Sequence, residues 1–313
     1  MHLFLKTRMG LFVFLFCYHC LMTQAALLSG IFGLLAALSW GIADFFAAKG
    51  SKKITAESAA LGISCICAVV YGAFYFLQSG LEAWTLAGFW YGAAAGIFMG
   101  LGLLMFYRGL EAGPVSVVSP VGSAYPLVTT ILVLAVFGGS LSGMQILGIA
   151  LIIAGIIATS GLFGAKTYER RITAGVVYGL LTFLAWGVAF ALLGQGVAAI
   201  GWQKGTLVDI WFEFSAILIM LPLLGHKAAL VKGYRVYIDK FIIGAAIIQL
   251  FGLVIFDVGL TITSSTAVIT AISASYPALT VFLAWKHLGE KQTVIPLAGA
   301  VVTVIGVIVL SLH

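Results

Sequence analysis

The sequence predicts an all-α integral membrane protein: ten core transmembrane helices set as two inverted five-helix repeats, plus an N-terminal hydrophobic segment. Three observations predict it. Of the 313 residues, 62% are hydrophobic and 8% charged, against about 25% charged in a soluble domain, so the solvent is lipid. Gly33-Leu-Leu-Ala-Ala-Leu-Ser-Trp40-Gly41 returns as Gly179-Leu-Leu-Thr-Phe-Leu-Ala-Trp186-Gly187, and Tyr125-Pro126 returns as Tyr276-Pro277, so one unit is used twice. Finally, cutting at Gly, Pro and charge clusters leaves five apolar stretches on each side of a basic segment. Five is odd, so the second half enters the bilayer in the opposite sense. Many secondary transporters share that arrangement, their halves rocking around a site between them.

Residues 1–25 come first. Lys6 and Arg8 precede an apolar run from Met9 to Met22, followed by the small residues Thr23 and Ala25. This reads equally as a secretory signal peptide or as an uncleaved extra span; a translation start at Met9 or Met22 is a third reading. The first repeat, residues 27–163, has spans at 27–48, 57–78, 86–107, 114–136 and 143–163. Each is close to the ~20 apolar residues that cross a bilayer as helix. Residues 164–173 form a basic inter-repeat loop carrying Lys166, Arg170 and Arg171. The second repeat, residues 174–312, has spans at 174–195, 205–225, 239–260, 264–285 and 294–312. Connections are short, so no soluble domain is inserted. The 38 glycines fall mostly inside spans, where small residues let helix backbones approach closely.

The loops after the odd-numbered spans hold Lys49, Lys52, Lys53, Arg108, Lys166, Arg170, Arg171, Lys227, Lys232, Arg235, Lys240, Lys286 and Lys291. Those after the even-numbered spans hold Lys204 alone. This bias puts the odd loops in the cytoplasm of a multi-pass protein expected in the plasma membrane. The net charge of +6 is therefore topological, and nucleic acid is excluded as a partner because the cations form no basic face. Cys17-Tyr-His-Cys20, Cys65 and Cys67 give neither a disulfide framework nor a metal site, since nothing supplies the remaining ligands and free Cys is a common buried apolar filler. No cofactor is implied. The Walker A pattern is absent. The five histidines lie outside the core spans, which disfavours an enzyme. A secondary carrier is the leading reading, with a channel or a structural membrane protein as the alternative.

These motifs resemble the EamA-type transporters of the drug/metabolite transporter superfamily. The resemblance rests on Ser39-Trp40-Gly41 and Ala185-Trp186-Gly187, on Gly113-Pro-Val-Ser-Val-Val-Ser-Pro120 with Tyr125-Pro126, and on Thr263-Ser-Ser-Thr-Ala267 with Tyr276-Pro277. Leu288-Gly289-Glu290 with Gly299 and Gly306 completes it, answered in the first half by Gly138, Gly148 and Gly155. It covers about residues 28–312. Gly138-Gly139 departs from it where the family often has Gly-Glu. The family is also generally drawn with both ends of its ten spans cytoplasmic, against the charge count here. The resemblance implies export or import of a small metabolite, often coupled to protons or run as exchange. The expected partners are thus a small-molecule solute, the lipid bilayer and protons, with a homodimer left open.

Depth selects the candidate site residues. Trp40 and Trp186 fall near the middle of the first span of each half, Tyr125 and Tyr276 near the middle of the fourth. An inverted repeat brings such equivalents together at the midplane, where carrier sites lie. Four aromatic walls suit planar, apolar or cationic solutes, each ring contact being worth on the order of 0.5–2 kcal/mol with a cation; helix packing is the bland alternative. Pro126 and Pro277 interrupt the helix behind the tyrosines: the freed carbonyl is a candidate to hydrogen-bond a solute or the kink to serve as a hinge, a purely structural bend being the bland alternative. Pro120 adds a second kink in the first half only. Acids within spans are functional candidates by default. Asp44 is one turn beyond Trp40 on the same face, and Asp209 and Glu213 share a face of span seven. Asp257 sits late in span eight. Each is a candidate to bind a proton or a cationic solute, although Asp209 and Asp257 also read as interfacial carboxylates reaching water. Arg108 and Glu111 are expected to snorkel to the cytoplasmic interface. Gln195 and Gln249 would line the cavity or bridge helices.

Overall fold

A computed structural model describes residues 27–50, 54–78, 85–159, 170–223, 239–262, 265–288 and 294–311. The N-terminal hydrophobic segment 1–25, most of the inter-repeat loop and the His226–Lys232 loop lie outside them. Helices account for nearly all of the described chain, and no strand occurs within it. They are α1 (Leu27–Gly50), α2 (Ala56–Gln78), α3 (Leu86–Ala112), α4 (Val115–Ser123), α5 (Pro126–Ala135), α6 (Gly143–Thr159), α7 (Arg170–Ile200), α8 (Trp202–Leu223), α9 (Lys240–Ile262), α10 (Thr266–Ser273), α11 (Pro277–Leu288) and α12 (Val294–Ser311).

Eight helical stretches among the described residues are long and apolar enough to cross a bilayer, with α4–α5 and α10–α11 each counting as one. The apolar α6 has 17 residues, about 25 Å of helix, a little short of a hydrocarbon core ~30 Å thick. It packs along α12, where Gly155 sits against Thr303 and the Gly299 carbonyl, and Gly306 against the Gly148 carbonyl.

Burial is inverted relative to a soluble protein. Leu77, Leu223 and Trp90 on the outside are 87%, 79% and 59% exposed, while Thr129, Thr182 and Thr206 inside are fully buried. The buried hydroxyls bond backbone carbonyls: Thr182 donates to Tyr178 O at 2.9 Å and Thr206 to Trp202 O at 2.7 Å. In hydrocarbon a polar group must find its partner inside the protein.

The kinks expected at Pro126 and Pro277 are full interruptions. α4 ends at Ser123 and α5 begins at Pro126; α10 ends at Ser273 and α11 begins at Pro277. Proline has no N–H for the preceding turn, and as the first residue of a new helix it loses nothing by that lack. Tyr125 and Tyr276 therefore occupy the breaks, with their carbonyls accepting from Thr129 N and Thr280 N, each at 3.1 Å.

Contacts across the breaks recur with the two halves exchanged. Gly41 of α1 packs on the Tyr276 carbonyl and Leu279; Gly187 of α7 packs on the Tyr125 carbonyl and Val128. Thr280 Oγ1 donates to Gly41 O at 3.4 Å, and Thr129 Oγ1 to Gly187 O at 3.0 Å. Gly252 of α9 lies under the Trp40 indole, as Gly102 of α3 lies under that of Trp186.

Candidate functional site

These contacts bring the predicted aromatic residues to one place. Trp40 stands edge-on to Tyr276, ring centroids 6.3 Å apart at 89°, and Trp186 edge-on to Tyr125, 6.0 Å apart at 90°. Both are T-shaped pairs of the kind that aromatic quadrupoles favour. Phe190 joins the pairs, stacking on Tyr125 at 4.6 Å and lying 5.7 Å from Trp40. Behind each indole a phenylalanine fixes its tilt: Phe256 at 5.6 Å from Trp40 and Phe106 at 5.1 Å from Trp186.

The four aromatic residues and Phe190 line one hollow of about 510 Å³ of empty space, part of it open to the outside. Met99, Leu103 and Leu253 supply further apolar wall. The polar groups are Asp44, Glu213 and Gln249, and among the described residues no Lys, Arg or His lines the pocket.

Asp44 is buried and receives a long hydrogen bond of 3.5 Å from Ser119 Oγ. Gln249 accepts from the Tyr107 hydroxyl at 3.4 Å. On the walls, the Tyr125 hydroxyl, the Tyr276 hydroxyl and Trp186 Nε1 are buried without a protein hydrogen-bond partner. Ser273 stands beside the Tyr125 hydroxyl but short of hydrogen-bond geometry. A buried unsatisfied polar group costs roughly 1–3 kcal/mol, so these donors favour any ligand that accepts from them.

Asp209 and Asp257 do not line the pocket. The interfacial reading of both is corrected: each is fully buried, because α2, α3 and α9 close over this part of α8. Asp257 accepts from Thr206 Oγ1, while both oxygens of Asp209 and the second of Asp257 lack a partner. Arg108 and Glu111 also lie away from the pocket. Instead of snorkelling free, Arg108 Nε donates to Glu57 Oε1 at 3.0 Å, and Glu111 accepts from Ala56 N at 3.1 Å, capping α2. Gln195 is half-buried outside the pocket lining. No group of three or more metal-ligating side chains occurs among the described residues.

Sequence reading missed Phe190, the joint between the two aromatic pairs. Its signal was present, because Phe190 follows Trp186 by four positions as Asp44 follows Trp40. It also missed Met99, Leu103 and Leu253, ordinary apolar residues whose role depends on which helix face turns inward.

Residues 27–161 match the EamA-like transporter family. An uncharacterized transporter of the archaeon Archaeoglobus fulgidus is similar to the chain, 23% identical over 212 residues, which make up 68% of this chain and 72% of that one. A solved crystal structure superposes with a TM-score of 0.65 over 90% of this chain and 95% of that chain, at 13% identity, so it shares the fold. Eight apolar helical stretches among the described residues and the matched segment agree: the chain is an integral, multi-pass membrane protein whose residues 27–161 are similar to the EamA-like transporter family.

Proposed function

We propose that the protein is a secondary active transporter that carries a small solute by alternating access around the Trp40–Tyr276 and Trp186–Tyr125 pocket. The carrying observation is that the pocket's walls come from both halves of the chain in matched pairs, and that three polar donors of those wall residues are buried without a protein partner. The exchanged-half contacts of Gly41 with Gly187 and of Gly102 with Gly252 support reading residues 27–163 and 174–312 as inverted repeats. On that reading α6 and α12 are the closing spans of the two halves. The breaks at Pro126 and Pro277 are the flexing points, and the discontinuous spans border the solute, as in other inverted-repeat carriers.

The lining names the solute class. Two carboxyls, several aromatic faces and no cationic side chain favour a planar or apolar body bearing positive charge. Asp44 and Glu213 meet that charge, and exchanging it for protons at the same carboxyls would couple the flux.

The test is a proton-flux and counterflow screen of the reconstituted protein against cationic drugs, amino acids, nucleosides and sugars. Saturable counterflow with a cationic solute is expected. Unsaturable flux, or flux without counterflow, would replace the carrier with a channel.

A further inference from the structure

From the pocket wall, α8 carries a polar stripe that runs on past the residues assigned to solute binding. Thr206, Asp209 and Glu213 are spaced by three and four residues, so they lie on one face of the helix. All three are buried, at 0%, 0% and 4% exposure. One end of the stripe reaches the α7–α8 turn, where Gly201 has φ +79° and Gln203 is exposed. Its other end, Glu213, is a pocket wall. Asp257 joins from α9 through the Thr206 hydroxyl.

We propose that Asp209 and Asp257 form a proton-binding site separate from the solute pocket, exchanging its proton with Glu213 along this face of α8. Three of the four oxygens on the two aspartates lack a protein partner, though both side chains are fully buried. Asp257 is bonded by Thr206, and Asp209 lies one turn further along the same face, so the two buried carboxyls are neighbours, and a proton relieves both their repulsion and the missing donor.

Among the described residues, no cation is recorded against Asp209 or Asp257. The titratable groups within reach are Tyr71 and Tyr75 from α2, with Cys67 and Tyr107 around Glu213. Tyr71 is itself committed, donating to Gln203 O at 3.1 Å. The one described cation of α8 is Lys204, half-buried in the first turn, and Arg108 of α3 is held by Glu57. From α3, the approach is made by Gly92 and Gly96, the latter lying against the Asp209 carbonyl. A side chain there would push α3 away and open the stripe.

Proton balance is simple. Glu213 loses its proton to Asp209 as positive solute enters the pocket, Asp209 passes one to Asp257, and release occurs at the α7–α8 end. Asp209 and Glu213 are one turn apart, about 6 Å along the axis, a distance bridged by side-chain rotation or one water. The proposal rests on the carrier reading for its purpose but not for its test.

The test is infrared spectroscopy of the full chain reconstituted in bilayers, titrated with pH and without added solute. Carboxylic-acid bands should be lost in part in D209N and in D257N, and Glu213 is identified by the band lost in E213Q. Both aspartate variants should also move the pH at which the Glu213 band vanishes. T206V should shift the frequency of the Asp257 band without removing it, which a merely structural role would not do. Thermal melting identifies folded variants; the wild-type spectrum alone tests the first point if one fails to fold. Spectra of D209N and D257N identical to wild type, or an unmoved Glu213 midpoint, overturn the proposal. Failure of the solute screen with these bands intact would remove the carrier reading and leave this site standing.

Discussion

The Trp40 indole and the Tyr276 ring meet edge to face, centroids 6.3 Å apart, joining the first span of one half to the broken span of the other. Nothing in either half alone could build this contact. The pocket is therefore a property of the two halves together, and changes on either side should be felt at both.

Removing an indole tests that directly. W40A and W186A should each weaken binding of a cationic aromatic probe by roughly tenfold, the equivalent of losing about 1.4 kcal/mol of contact. W40F should recover part of it. Equilibrium binding in detergent measures both, and unchanged affinity in both alanine variants would exclude the rings from the site.

Polar handles should contribute less. Y276F leaves the ring and deletes a hydroxyl that has no protein partner, so folding stability should hold or rise slightly. Affinity for a solute that accepts its hydrogen bond should fall about fivefold, the yield of roughly 1 kcal/mol. Melting and binding measured on the same sample separate the two effects.

The indoles depend on what lies beneath them. A Cβ at Gly252 would meet the Trp40 ring at 2.8 Å, so G252A should tilt the indole and cost about 1–3 kcal/mol of packing. G143A, where nothing lies within 4 Å, is the control and should transport normally. Equal activity of the two variants in proteoliposomes would show that indole position is unimportant.

The ion pair at the end of α3 is structural. Arg108 and Glu57 keep 18% and 10% side-chain exposure, so water screens the pair partly and R108A should destabilise by about 1 kcal/mol. R108K should retain much of that, and neither should change solute affinity. Melting temperature with a binding isotherm checks both statements.

The breaks at the tyrosines make a kinetic prediction. P126A restores an N–H and allows α4 to continue into α5, so turnover should drop several-fold while solute affinity changes little. Transport rates and equilibrium binding, compared in P126A and P277A, would reveal the hinge role. A drop in affinity alone would make the prolines positioning residues instead.

The four aromatic residues were legible because duplication marks equivalent depths, and a Trp-Gly or Tyr-Pro pair recurring in the same order is hard to miss. The span limits were legible from apolar length, to within a few residues for α1, α2 and α9. The full breaks at residues 124–125 and 274–276 were less so. Proline announces a disturbed helix, but whether the chain bends or stops is set at the carbonyls of the preceding turn that lose its N–H, and the sequence does not show how they are met. The enclosure of Asp209 was not legible at all. It depends on Gly96 letting α3 close over α8, and glycine spacing does not reveal which partner it admits. The partner of Arg108 was not legible either, since Glu57 lies in another helix.

The unlike residues one turn beyond the two indoles, Asp44 and Phe190, have a further consequence. Were the halves to trade conformations during a cycle, the scaffold would return to an equivalent shape but its chemistry would not. A carboxylate would stand where the benzyl ring had been. The outward and inward forms would then differ in energy even with nothing bound, giving the empty protein a preferred side, while the gradients alone would set the direction of net flux.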